Sequence, residues 1–282
     1  MNQNFRRSRF AVVAGTSGWV ALALAFYIVV GSHSGPWFYK WSPSIPWVKT
    51  GQRTRPVVTW PLPESYKVTP GDLLFGEQQV ERMVHDRPEM ARMVNSQSPV
   101  WKWCVRNFAG VSLGQRIYWN SGKPAPPDSG ADHVIPFDGK PGYIRVDEMR
   151  RIGTGDAGKA SCEELWAKAV FELNNMANDP AFLQIYNDAL AGKLDRNRFI
   201  ERNTRLEYLT ELKTELVHKN LWRQSGSEFS GGSYYWGAYI PDTYEMWISA
   251  YTDRTSYPWI PFGSYYDEQV VPYLKSVGKM PQ

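Results

Sequence analysis

The segment Phe10–Gly31 contains no Asp, Glu, Lys or Arg, and nothing else in the chain restricts the fold as strongly. About 20 apolar residues coiled as a helix cross the roughly 30 Å hydrocarbon core of a bilayer. Arg6, Arg7 and Arg9 lie on the amino side of the run. The positive-inside rule therefore places residues 1–9 in the cytoplasm, 10–31 across the membrane as a single pass, and everything beyond outside the cytoplasm. One alternative uses the same residues. Ala23-Leu24-Ala25 has the small-x-small form of a signal-peptide cleavage site behind a basic leader. Cleavage there would leave Phe26-Tyr27-Ile28-Val29-Val30 as an apolar end, so an uncleaved anchor is the expectation.

Trp37, Phe38, Tyr39, Trp41 and Trp47 crowd the residues just past the run, where amphipathic rings favour the headgroup zone. They read as a membrane-interface belt. Pro36, Pro43, Pro46, Pro56, Pro61 and Pro63 keep residues 32–64 extended, as a stiff stalk or as a strap laid along the domain. Residues 65–282 then form one extracytoplasmic domain, periplasmic in a bacterium, with 13 Trp, 16 Tyr and 12 Phe available for a core. A formal charge of +4, partly cytoplasmic, argues against nucleic acid as a partner. Cys104 and Cys162 are too few for a cysteine zinc site or haem attachment, and an oxidising compartment would permit a bridge between them. No cofactor is expected.

Periodicity points to an α+β domain that is mainly helical. A helix over 69–95 is interrupted at Pro88. Residues 115–119 and 142–147 alternate like short strands, with a loop rich in Gly, Pro, Asp and Ser between them. Ser161-Cys162-Glu163-Glu164 forms a capping box opening an apolar helix that runs to about Asn178. A second helix begins at Pro180 and ends at Gly192, and a third runs from about Asp195 to Trp222. From Ser225 onward the chain is irregular and aromatic, with one helix over 266–277.

Within the apolar helix stands Phe171-Glu172-Leu173-Asn174-Asn175. Short strands, then a buried helix bearing a glutamate, then further helices: this order resembles the zincin metallopeptidases, whose helix carries His-Glu-x-x-His. The resemblance implies Glu172 as the general base. Phe171 and Asn175 stand where the zinc-binding histidines belong, so what it implies is a degenerate fold without its metal. Read from the residues themselves, Glu172 lies one turn from Lys168, itself one turn from Glu164, which describes an ordinary salt-linked polar face. Asp132-His133 and Asp138 fall in the loop and read as solvated.

The long helix repeats Glu207, Glu211 and Glu215 at four-residue spacing, with His218 three residues later. All four project from one face. Glu215-x-x-His218 has the spacing of a di-iron ligand pair, but the chain holds no second copy. A row linked by salt bridges is the expectation, and a metal site the alternative.

The aromatic tail suits interfaces, with Trp236, Trp247 and Trp259 as candidate anchors. The chain therefore reads as a membrane-anchored extracytoplasmic accessory or interaction protein, non-enzymatic, binding a membrane-complex or envelope partner. The alternative is a metal-assisted hydrolase using Glu172 with the Glu207, Glu211, Glu215 and His218 row.

Overall fold

A computed structural model describes the backbone of residues 27–30, together with residues 56–58, 67–120, 130–136, 140–147, 160–225, 240–249 and 259–279. Thr69 caps α1 (Pro70–Asp86). Its hydroxyl accepts from the Asp72 amide, and the Asp72 carboxylate accepts from the Thr69 amide, with Pro70 at the start of the helix. Pro88 cannot extend the helix, and a tight turn over Pro88–Arg92 replaces it. α2 (Pro99–Phe108) crosses α1 at Gly76, where a Cβ would come within 2.1 Å of the Val105 carbonyl oxygen. Only glycine allows the two backbones to approach that closely.

β2 (Val111–Ser112) and β3 (Gln115–Trp119) form a hairpin through Leu113 and Gly114, both at positive φ. That is what a two-residue turn matching the strand twist requires. With β1 (Tyr27–Val30) at one edge, β4 (Ala131–Val134) and β5 (Gly142–Val146) complete the centre of a sheet ordered β1-β4-β5-β3-β2, in which β3 and β5 are parallel. β4 corrects the expectation of loop between residues 120 and 142.

The edge strand β1 (Tyr27–Val30) runs antiparallel to β4, with Tyr27 opposite Val134 and Val30 opposite Ala131. These four residues belong to the run expected to be a helix over 10–31, and here they are extended. An aromatic followed by three β-branched residues suits a pleated strand. The rest of that run, and the belt residues Trp37, Phe38, Tyr39, Trp41 and Trp47, lie outside the described residues. No helix among the described residues is long and apolar enough to cross a membrane. At residues 56–58 the arm behaves as a strap: Val58 is half-buried against the domain.

Ser161 opens α3 (Cys162–Met176), its hydroxyl accepting from the Glu164 amide. Pro180 sits in the first turn of α4 (Asp179–Leu190). Asp195 caps α5 (Arg196–Val217), which passes into one wide turn over His218–Trp222. The tail is less irregular than expected, for it contains α6 (Tyr244–Ser249) and α7 (Trp259–Tyr265) as well as α8 (Val271–Ser276).

Three apolar clusters hold these elements. The first joins α1, α2 and the sheet to α3 through Met83, Phe108, Ile117, Ile144, Trp166 and Leu173. The second gathers Phe182, Tyr186, Phe199, Phe262, Tyr266 and Leu274 from α4, α5 and the tail. The third packs Tyr208 and Leu212 of α5 on Ile240, Tyr244 and Trp247. Cys104 and Cys162 are both buried in the first cluster as free thiols, so no bridge joins them.

Candidate functional site

α3 is buried on nearly every face. Leu165, Trp166, Ala169 and Leu173 enter the first cluster, while Glu164, Lys168, Glu172 and Asn175 form a polar row. Glu164 and Lys168 pair at 2.9 Å, as their spacing predicts, although both are buried. Glu172 does not join them. Its Oε2 lies 3.1 Å from His133 Nδ1 on β4, and the other ring nitrogen, Nε2, lies 2.9 Å from Asp179 Oδ1 at the start of α4. All three side chains are 0 % exposed. Ser112, delivered by the β2–β3 hairpin, donates its hydroxyl to Asp179 Oδ2, and Phe182 of α4 lies beside the imidazole.

Two sequence expectations are corrected at this point. Glu172 is not part of an exposed salt-linked face, because α3 is sealed between the sheet and α5. His133 is not a solvated loop residue, because it sits on a covered strand. Asp132 precedes it on β4 and pairs with Arg145 directly across on β5, the Arg145 Nη2 donating at 2.7 Å. Side chains alternate along a strand, so this pair belongs to the opposite face of the sheet. Asp138 lies outside the described residues.

The polar chain continues into α5. Asn175 donates to Glu207 at 3.4 Å and accepts from Thr210 at 2.6 Å. Asn178 donates to Thr210 and accepts from Lys213, both at 2.7 Å, and Asn174 donates to Thr214 at 3.2 Å. Helices that meet through side-chain amides and hydroxyls satisfy these groups only at one relative rotation, so the network fixes how α3 and α5 face each other.

The charges respond to this burial. Loss of water alone would lower the His133 pKa, but the carboxylates of Asp179 and Glu172 outweigh it and push the ring up to about 10. For Glu172, loss of water is the larger influence and raises its carboxyl to about 7 against the pull of His133.

The Glu207, Glu211, Glu215 and His218 row does not converge. Glu207 faces Asn175, Glu211 accepts from the Trp247 indole N–H at 3.1 Å, and Glu215 is held by Lys219 at 2.8 Å. His218 is buried beyond them at the wide turn. In the His133 cluster, Glu172 and Asp179 contact opposite nitrogens of one ring, so their lone pairs cannot meet at one ion. Among the described residues no group of three or more His, Cys, Asp or Glu side chains is arranged to hold a metal.

Of the candidate anchors, Trp247 is a core residue at 3 % exposure, packed on Tyr208 and Tyr244. Trp259 is half-buried against the second cluster, and Trp236 lies outside the described residues. Sequence reading missed His133, Asp179 and Ser112 as partners of Glu172. Asp179 is hidden in the Asn178-Asp179-Pro180 helix break. No family model, curated protein or solved structure matches the chain.

Proposed function

We propose that this chain is a single-pass membrane protein whose main domain lies outside the cytoplasm and serves as a non-enzymatic accessory or interaction component of a membrane or envelope assembly. The burial of its acid–base groups is the observation that carries the non-enzymatic part. An acid and a base must reach a substrate to act on it, and Glu172, His133 and Asp179 are each 0 % exposed. They bond to one another across α3, α4 and β4, which suits a structural duty. The anchor rests on the uncharged run Phe10–Gly31 behind three arginines, of which residues 10–26 are left once Tyr27–Val30 pair with β4.

The contact surface is best sought in the tail around Trp259. This residue keeps part of its ring accessible, and its neighbour Ile260 on α7 is 44 % exposed. Trp247, packed as core, serves as the internal control. The decisive measurement is cross-linking of the full-length protein in its native membrane. Trp259→Ala should lose a specific cross-linked product while thermal unfolding stays close to wild type. Trp247→Ala should instead destabilise the domain by about 3–5 kcal/mol, the usual cost of a lost core tryptophan. A cross-linked product that survives Trp259→Ala would remove the interaction surface from this part of the tail. Stoichiometric zinc or iron in the purified protein would overturn the non-enzymatic reading in favour of a metal-assisted hydrolase.

A further inference from the structure

Glu172, His133 and Asp179 place two carboxyl groups and one imidazole in contact, sealed from water. Counted from a neutral imidazole and two carboxylates, such a set is neutral when it holds two further protons, one making the ring an imidazolium and one on a carboxyl. With one proton it carries a net negative charge, and a buried charge without a partner is costly. Proton binding by Glu172 and by His133 is therefore coupled. The second proton belongs on Glu172. Asp179 accepts from both Ser112 and His133 and stands in the first turn of α4, where negative charge is favoured.

Among the described residues, the charged groups facing the cluster are already paired or balanced by a group of opposite sign. From the sheet, Arg145 is committed to Asp132. Along α3, Lys168 is committed to Glu164. From α5, Glu207 and Lys213 approach with one charge of each sign, through Asn175 and Asn178. The hairpin contributes the neutral Ser112, and α4 adds the apolar ring of Phe182.

We propose that this cluster is a proton-gated staple. Holding two protons, it clamps the α3–α4 junction onto β4; losing the Glu172 proton leaves a buried negative charge that loosens the junction. The raised affinity of the Glu172 carboxyl for its proton puts this change near neutral pH. The device lies where β2, β4, α3 and α4 meet, with α5 tied to the same junction through Asn178.

Amide hydrogen exchange of the full-length protein, corrected for the intrinsic effect of pH, tests the proposal between about pH 5.5 and 8.5. Peptides spanning residues 170–182 should lose about tenfold in protection as pH rises, while those of α1 do not. Glu172→Gln keeps the side chain neutral throughout and should remove the loss of protection below about pH 6.5, leaving only the part that His133 contributes above it. The same pH dependence in Glu172→Gln, or none in the wild type, overturns the proposal. Should the variant fail to fold, infrared difference spectra decide instead. A protonated carboxyl band lost over the same interval in Glu211→Gln, which removes the other buried carboxyl raised to about 7, supports the staple, and its absence overturns it.

Discussion

His133 and His218 are equally hidden from water, at 0 % and 1 % exposure, yet the protein drives their charge in opposite directions. His133, gripped by Asp179 and Glu172, is pushed up to about 10. His218, at the wide turn ending α5, is brought down to about 4, first by loss of water and then by the nearby Arg223. Glu215 pulls it the other way and is outweighed. Burial sets the penalty for a charge; the groups in contact decide whether the charge is kept. One region is therefore held together by an imidazolium, and the other by a neutral ring.

Deleting each ring should break the symmetry of burial most visibly. His133→Ala strands two carboxyl groups in the interior, and breaking a buried ionic set in this way costs about 3–5 kcal/mol. His218→Gln removes a neutral ring and should cost about 1 kcal/mol. Denaturant unfolding at neutral pH measures both. Equal losses would show that the contacts of His133 with its two carboxyl neighbours are worth no more than its packing.

The pH dependence of stability should separate the two regions next. The folded pKa of His133 lies above its ordinary 6.5, so its contribution is complete below about 6.5 and is lost as pH rises through about 10. Glu172 acts in the same sense, complete below about 4.5 and lost as pH rises through about 7. His218 is depressed, so its contribution is complete above about 6.5 and is lost as pH falls through about 4. His133→Gln should remove the His133 loss that extends to about pH 10 while the Glu172 loss persists and moves to higher pH, because the ring that lowers the Glu172 pKa is gone; His218→Gln should flatten only the acid limb. A variant that flattens the other region's limb would sink the assignment.

The smallest effect sharpens the comparison from within one region. Lys219 lowers the His218 pKa and is 47 % exposed, paired with Glu215. Lys219→Ala should raise the His218 titration by less than about one pH unit and change stability by about 0–1 kcal/mol. A ring titration followed by NMR would detect the first, and an unchanged midpoint would remove Lys219 from the account.

The helices were readable because their ends carry their own chemistry: Thr69 before Pro70, Ser161 before Glu164, Pro180, and Asp195. β4 was not readable. Ala131, Asp132, His133 and Val134 are all buried, with charged side chains on both faces, so the apolar–polar alternation that marks a strand is missing. Glu172 could be singled out but not understood, since its partner lies 39 residues away on that strand. A weaker signal was present in α5. Thr210 and Thr214 share a helix face that meets the amides of Asn174, Asn175 and Asn178, and such amide and hydroxyl stripes on apolar helices indicate a polar seam.

The edge strand bears on distance. With Tyr27–Val30 hydrogen-bonded to β4, a membrane helix starting at Phe10 could extend no further than Phe26, a length of about 26 Å at roughly 1.5 Å per residue. That is close to the shortest span a bilayer accepts. The strand would follow with no spacer, and Val58, half-buried on the domain, would return the arm to the same body. On the proposed anchor, the sheet would then begin where the membrane helix ends, with no intervening residue to act as a flexible tether.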